Sequence, residues 1–335
     1  MSEKPVRIAI NGFGRIGRCV LHAVLAQGGA EVVAINAPSG AKACAHLFKY
    51  DSVFGVFRGT ITADDNAIVV NSMRIPVFST RQPAELPWRD LKVDVVLEST
   101  GKFLDKATAG QHIQAGAKKV VLSAPAKDKD IVTVVLGVND HILTGQETII
   151  SNASCTTNCL APMAKALDDA FGIEKGFIST VHAYTSDQNL LDGSHRDLRR
   201  ARAAALSIIP TTTGAAKALG LVMPHLKGKL DGGAMRVPVP NGSLTDLTVV
   251  LKKETNKEEL NAVMKKASEG SLKGILAYSD EPIVSIDIIG NSASCIFDSE
   301  FTFVNGNLAK VIGWYDNEMG YAYRTLDLMV KIGKA

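Results

Sequence analysis

The spacing of apolar residues changes about half way along the chain, and that change is the first guide to its organisation. Residues 6–10, VRIAI, are a short β-branched run. The next segment, NGFGRIGRCVLHAVLAQGG, sets Ile16, Val20, Leu21, Val24 and Leu25 at helical spacing and stops at Gly28-Gly29. A second strand-like run, EVVAIN, follows at 31–36. Strand, helix and strand within about 30 residues predict a βαβ unit and a parallel sheet. The alternation continues through VDVVLEST at 93–100, a helix over 105–116, KKVVLSAP at 118–125 and a strand IVTVVLGVN at 131–139. A small antiparallel excursion is predicted over 55–79, around Asn71-Ser72. The first half therefore reads as a doubly wound nucleotide-binding domain.

After residue 153 the pattern differs. A helix is predicted from about 155 to 170, with Pro162 costing it a hydrogen bond and bending it. Longer strand blocks follow: SLTDLTVVLKK, GILAYSDEPIVSIDIIG and SEFTFVNGNLAKVIGWYD, the last turning at Asn305-Gly306. They predict an α+β domain with a mixed or antiparallel sheet. The final stretch, YAYRTLDLMVKIGKA, is an amphipathic helix expected to return to the first domain. The expected domains are 1–153, completed by 318–335, and 154–317.

Composition narrows the function classes. The 335 residues are 46% hydrophobic and 21% charged, and a chain this long suits two cores rather than one. No apolar run is long enough to span a bilayer. The start, MSEKPVRIAI, does not read as a secretory signal, so a cytoplasmic location is expected. A net charge of +3 points to neither nucleic acid nor an anionic membrane as the main partner. The basic run Arg196–Arg202 reads as a solvated segment or a local anion site. Five cysteines, an odd number, argue against a disulfide framework, and no Cys/His grouping has zinc spacing, so no metal site is expected.

Gly12-Phe13-Gly14-Arg15-Ile16-Gly17 matches G-x-G-x-x-G and sits where the motif has meaning, after a strand and opening a helix. The first glycine permits a tight turn, the second lets backbone approach a pyrophosphate and the third lets helix and strand pack closely. The second strand of an NAD site usually ends in a carboxylate that binds the ribose hydroxyls. Here it ends in Asn36-Ala37-Pro38-Ser39-Gly40. Ala37 removes a charge that would repel a 2′-phosphate; Ser39 and Arg81 are candidate partners for one. The other reading is weaker NAD binding with no gain for NADP.

Ser151-Asn152-Ala153-Ser154-Cys155-Thr156-Thr157-Asn158-Cys159 carries the candidate chemistry. Ser154 is a good N-cap, which puts Cys155 in a first helical turn where backbone N–H groups favour a thiolate. Cys159, one turn on, reads as packing. His182, in STVHAYTSDQ, is the candidate base.

SNASCTTNCL with HAYT resembles the phosphorylating glyceraldehyde-3-phosphate dehydrogenases, and the resemblance covers essentially the whole chain. INGFGRIGR, KYDS at 49–52, ESTG at 98–101, LSAPAKD, RAAALSIIPTTTGAAKALG, AMRVPVPNGS and WYDNEMGY resemble that family's motifs in its order. Erythrose-4-phosphate dehydrogenases, which hydrolyse the thioester, share much of the set. The resemblance implies a Rossmann-type domain with an α+β catalytic domain. It implies a thioester on Cys155, with His182 lowering the thiol pKa by about 2 units and taking the hydroxyl proton. The substrate phosphate of glyceraldehyde 3-phosphate would lie on Thr185 and Arg236. Inorganic phosphate would lie on Ser154, Thr156, Thr213 and Gly214, with Arg199 nearby. Thr100, Gly101 and Ser123 would line the cofactor crevice; Asn317, with its neighbour Tyr321, would orient the carboxamide. A homotetramer is implied, the 186–202 loop completing a neighbour's cofactor site. The sequence departs from the NAD-specific pattern at Ala37 and at Gly193-Ser194, where such relatives carry a bulky Leu-Pro pair. In NADP-using relatives the Ser reaches a 2′-phosphate. Both changes favour NADP, with NAD possible.

Overall fold

The computed structural model describes residues 4–335. Contacts divide the chain into two units. One runs to Val134 and adds Ile142–Ala153 and Ala322–Ala335; the other is Val135–His141 with Ser154–Tyr321.

In the first unit, β1 (Val6–Asn11), α1 (Arg15–Gln27) and β2 (Ala30–Asn36) form the expected parallel βαβ unit. Helix α2 (Gly40–Lys49) and a two-stranded ribbon, β3 (Tyr50–Asp51) and β4 (Gly55–Val56), lead to the antiparallel excursion β5 (Ile61–Ala63), β6 (Ala67–Val70) and β7 (Met73–Phe78). Asn71, at φ +52°, turns β6 into β7, which then pairs parallel with β2. The chain continues on the other side of β1 with β8 (Val95–Glu98), α3 (Lys106–Gln114), β9 (Lys119–Leu122), β10 (Val132–Thr133) and β11 (Ile149–Ser151). The sheet order is β10-β11-β9-β8-β1-β2-β7-β6-β5. Its central strands are buried on both faces, as their continuous apolar runs require: Ile8, Ala9, Ile10, Val95, Val96 and Leu97 are all 0% exposed.

One predicted strand is shorter than its apolar run suggests. IVTVVLGVN gives only Val132–Thr133. Beyond that the backbone turns, with Val138 N donating to Val135 O and the Asn139 side chain accepting from Val135 N, and Gly137 sits at φ +79°. Local side-chain bonds to the backbone displace the ladder there.

The second unit opens with α4 (Cys155–Phe171), which runs through Pro162 without ending. Its strands are β12 (Ile173–Ala183), β13 (Ile209–Thr212), β14 (Leu230–Val237), β15 (Ser243–Leu251), β16 (Leu276–Ser279), β17 (Cys295–Asn305) and β18 (Leu308–Tyr315), with α5 (Ala215–Val222) and α6 (Lys257–Glu269) between them. They form a mixed sheet, β13-β14-β12-β15-β18-β17-β16. β15 alternates buried and half-buried positions along its length, the period-2 pattern of a half-buried strand. GILAYSDEPIVSIDIIG gives only β16; after Pro282, turns closed by Asp287 expose Val284 and Ile286. The hairpin β17–β18 turns on Gly306-Asn307, with Gly306 at φ +61°. Helix α7 (Met319–Lys334) starts in this unit and belongs to the first from Ala322 onward.

Candidate active site

β1 leads to β2 on one side and β8 lies on the other, so their carboxyl ends part at a topological switch point, where open parallel sheets bind ligands. The glycine motif lies there. Gly12 has φ +100°, and a Cβ on it would come within 2.8 Å of Ser99 C and Thr100 N. A Cβ on Gly17 would lie 2.2 Å from Gly12 O. Gly14 has nothing within 4 Å of its Cβ position. It caps α1 with no side-chain acceptor, and α1 has no acidic residue in its first turn. A glycine cap and a first turn without acid leave the positive end of the helix suited to an anion such as the pyrophosphate of a dinucleotide.

The other sequence candidates of this unit fall into two groups. Some form its walls: Thr100 N donates to Glu98 Oε1 at 2.8 Å, Ser123 N and Oγ both donate to Glu98 O at 3.0 Å, and Gly101 takes φ +70°. Others are engaged or peripheral. Arg15 pairs with Asp51 and lies over Phe54, and Ile16 is half-buried. Both amide protons of Asn36 are spent, on Asn11 Oδ1 at 2.7 Å and Thr80 O at 3.0 Å, so its side chain holds β2 to its neighbours. Ala37 is buried at the end of β2 and donates its N–H to Phe78 O. Ser39 and Arg81 are exposed.

The reactive pair lies in the second unit. Ser154 caps α4, accepting from Thr157 N at 3.1 Å, and makes Cys155 the first helical residue. Ala153, just before it, is a buried alanine at φ +55°. A left-handed alanine costs of order 1 kcal/mol and is found where geometry at a site demands it. Cys155 Sγ is 3.4 Å from His182 Nε2. His182 Nδ1 lies 2.7 Å from Ala183 O, which fixes the proton on Nδ1 and turns the Nε2 lone pair to the sulphur. Tyr315 stacks edge-on against His182, and its hydroxyl meets Thr156 Oγ1 at 2.9 Å and Thr180 Oγ1 at 3.1 Å.

Burial pushes the Cys155 thiol up to about 11, with Arg236 opposing, and pushes His182 down to about 3, with Arg236 adding to it. Both shifts favour the uncharged thiol and imidazole. The direction at Cys155 is opposite to the lowering expected from His182 and the helix end, because burial outweighs Arg236. Cys155 remains half-buried, so a reagent can still reach it.

Strand register brings arginine and hydroxyl side chains to the pair. β12 and β14 run parallel with His182 opposite Arg236. Arg236 Nη1 donates to Ala183 O at 3.0 Å and to Thr185 Oγ1 at 2.9 Å, and its buried Nε has no partner. Its 3.1 Å approach to His182 Nδ1 then brings two donors to one carbonyl. Thr185 and Arg200 both donate to Asp187. Desolvation pushes Asp187 up, but Thr185, Arg236 and Arg200 together hold its carboxyl below the usual range. Arg200 also donates to Thr211 Oγ1 at 2.9 Å and Thr212 O at 3.1 Å, next to Thr213 and to Gly214, which caps α5.

Of the two adjacent arginines, Arg200 lies against Asp187 and Thr211. Arg199 is exposed and lines an open cleft of about 500 Å³ with Ser179 and Met235. By strand alternation those two side chains leave the sheet on the face opposite His182 and Arg236. Asp187 and Tyr315 were not singled out in the sequence, and Arg200 only within the basic run Arg196–Arg202; Asp187 lies within HAYTSDQ, but nothing local marks it. Ser194 lies on an exposed loop. Asn317 is buried, with Oδ1 accepting from Ser243 Oγ at 2.7 Å, which leaves its amide nitrogen to donate. Tyr321 is buried.

Fold and site define a protein that carries a dinucleotide-type crevice in one unit and a thiol–imidazole pair beside two arginines in the other. Sequence comparison extends this. Residues 6–106 match the family described as the glyceraldehyde 3-phosphate dehydrogenase NAD binding domain, and residues 154–317 match its C-terminal domain. A glyceraldehyde-3-phosphate dehydrogenase of Mycobacterium avium is 58% identical, covering 98% of this chain and 99% of that protein. Glyceraldehyde-3-phosphate dehydrogenase 2 of Streptomyces avermitilis is 56% identical, covering 98% of each. One from Streptomyces coelicolor is 57% identical, again over 98% of each. The chain belongs to the glyceraldehyde-3-phosphate dehydrogenase family.

Proposed function

We propose that the protein catalyses the reversible, phosphorylating oxidation of D-glyceraldehyde 3-phosphate to 1,3-bisphosphoglycerate, with NADP preferred over NAD. The observation that carries the chemistry is the 3.4 Å contact between Cys155 Sγ and His182 Nε2 beside Arg236. Cys155 attacks the aldehyde carbon while His182 takes the thiol proton and returns it to the carbonyl oxygen, giving a hemithioacetal whose oxygen faces the N–H groups of the first turn of α4. His182 then accepts the hydroxyl proton. When bound, the nicotinamide would supply the acceptor for the hydride that leaves the hemithioacetal carbon, and the Gly12–Gly17 turn, open at Gly14, would hold the cofactor's pyrophosphate. Inorganic phosphate attacks the resulting thioester, and Cys155 leaves. Two phosphates must be held, which suits the arginines Arg236 and Arg200 with Thr185 on one side and Ser154, Thr156, Thr213 and Gly214 on the other. Asn317 would hold the carboxamide.

NADP preference rests on two departures. Ala37 puts a methyl where a carboxylate would repel a 2′-phosphate, and Ser194 replaces a proline in a loop proposed to reach a neighbouring subunit. A homotetramer is supported by large apolar side chains left in water on the second unit, among them Phe177 at 70%, Leu206 at 81% and Ile208 at 67% exposure. No helix among the described residues is long and apolar enough to cross a membrane; a cytoplasmic location is part of the proposal.

The test is kcat/KM for NADP and NAD, with and without inorganic phosphate. A tenfold preference corresponds to about 1.4 kcal/mol and is readily measured. NADP preference and an absolute need for phosphate support the proposal. Loss of that preference in the Ala37→Asp, Ser194→Pro double variant assigns it to those positions, and an unchanged ratio removes the assignment. A rate independent of phosphate would mean thioester hydrolysis, the reaction of erythrose-4-phosphate dehydrogenases.

A further inference from the structure

ESTG contributes Thr100 and Gly101 to the crevice, but its first residue is the most enclosed. The Glu98 side chain is 0% exposed. Four donors converge on it: Asn11 Nδ2 and His112 Nε2 at Oε2, the second at 3.2 Å, and Thr100 N at 2.8 Å with the Thr100 hydroxyl at Oε1. Among the described residues no lysine or arginine pairs with it.

His112 does not supply the missing cation. Trp88 Nε1–H donates to His112 Nδ1 at 3.0 Å, so Nδ1 carries a lone pair and the ring's one proton sits on Nε2, aimed at Glu98. The 3.3 Å between His112 Nε2 and Asn11 Nδ2 is then two donors sharing one acceptor oxygen. A buried carboxylate without a cation persists only when hydrogen bonds replace its water. Here those bonds come from the strand ends that wall the crevice. Asn11 closes β1, Thr100 follows β8, and the Glu98 carbonyl accepts from Ser123, which follows β9. Asn36 of β2 joins through Asn11 Oδ1. The glycine loop rests on this assembly, since Ser99 Oγ donates to Gly12 O at 2.7 Å and Gly12 has no room for a methyl beside Thr100 N.

We propose that Glu98 is the positioning residue of the dinucleotide crevice: its buried carboxylate fixes Thr100 against the glycine loop and so sets the wall on which the cofactor lies. The proposal rests on reading the crevice as the dinucleotide site. Glu98→Gln is nearly isosteric but brings an NH₂ group. Whichever way that amide turns, a donor faces either Thr100 N or the Asn11 and His112 donors. Thr100→Val keeps the shape of Thr100 and removes only its hydroxyl.

NADP and NAD are titrated calorimetrically into the full chain as wild type, Glu98→Gln, Thr100→Val and the double variant, with steady-state kinetics alongside. Loss of a hydrogen bond to a charged group predicts a Kd weaker by about tenfold or more in Glu98→Gln. The cofactor KM should rise in step while kcat at saturating cofactor stays within about twofold. Because Glu98 acts through Thr100, the double variant should bind within about threefold of Glu98→Gln alone. A merely structural role would instead lower Tm and active fraction with no split between KM and kcat. Should Glu98→Gln fail to fold, Thr100→Val decides, by a weakened Kd or by a wild-type one. A wild-type Kd in either variant, or effects that multiply independently, overturns the proposal while the crevice stands. A wild-type protein that binds neither dinucleotide overturns the reading of the crevice, and this proposal with it.

Discussion

The crevice of the first unit and the reactive pair of the second are built on opposite plans. The crevice is mostly backbone. Its key residues, Gly12 to Gly17, lie in one turn, and what they contribute is the absence of side chains: no room at Gly12 and Gly17, open space at Gly14. The second site is mostly side chains, drawn from α4, β12, β14, β18 and the loops around β13, with His182 paired to Arg236 across parallel strands. A backbone site is specified by local sequence and changes little with what surrounds it. A side-chain site depends on register and burial, and burial also sets its proton chemistry.

The largest effect separates the two plans outright. Cys155→Ser should lower kcat by about 10,000-fold or more, because a hydroxyl is a far weaker nucleophile toward the aldehyde. Dinucleotide affinity, measured calorimetrically, should stay within about twofold, since nothing in the crevice changes. A large loss of cofactor affinity in this variant would mean that the two sites are not independent.

Next in size is the contrast between two adjacent arginines. Arg200→Met should cost about 100-fold in kcat/KM for glyceraldehyde 3-phosphate, the weight of a charge-assisted contact in a partly buried cluster. Arg199→Met should cost less than about threefold, as exposed charges do. Equal losses would put Arg199 back in the site. This pair also shows where sequence reading ends. The glycine motif, the Ser154 cap, the βαβ unit and the hairpin near Gly306 follow from local spacing and turn chemistry, and all were legible. Arg200 could not be told from Arg199 within their basic run because residues 190–208 form no regular element, so no period says which side chain turns inward. The end of β10 was missed because an apolar run does not reveal the Asn139 bond that stops it. Neither the left-handed Ala153 nor the raised thiol of Cys155 leaves a trace in composition, for both are imposed by the packed surroundings. His182 was a candidate base from its sequence setting, strengthened by resemblance to a family; strand pairing supplied its partners.

Burial of His182 should also appear in stability. Its folded pKa, pushed down to about 3, lies below the ordinary 6.5 it regains on unfolding. Between those values the unfolded chain binds the extra proton. The folded state therefore keeps its full stability above pH 6.5 and loses it as pH falls toward 3. From pH 7 to pH 5 the cost of this one group is about 2 kcal/mol. Urea unfolding at the two pH values should show His182→Gln losing less stability on acidification than wild type by about that amount. Equal losses would mean that the imidazole can be protonated inside the fold, and that a thiolate–imidazolium pair is accessible after all.

The smallest effect concerns the backbone plan itself. Gly17 is a poor probe, because a Cβ only 2.2 Å from Gly12 O would disturb the fold as well as the crevice. Gly14 is the informative glycine. An added methyl meets nothing within 4 Å, and the residue is extended, at φ −76° and ψ −158°, so alanine fits without strain. The fold should not notice, and Gly14→Ala should melt within about 2 °C of wild type, the range of a surface change. The methyl nevertheless occupies the space at the start of α1 that a pyrophosphate must enter to reach its N–H groups. Affinity for NADP and NAD should fall about tenfold, worth about 1.4 kcal/mol, and by the same factor for both, because the two cofactors share the pyrophosphate and differ only at the 2′-position. A selective loss for NADP would move the 2′-phosphate to this end of the crevice and away from Ala37. No loss for either would mean that the open space above Gly14 is not where the phosphates lie, and the backbone reading of the crevice would fail while the chemistry of Cys155 and His182 stood untouched.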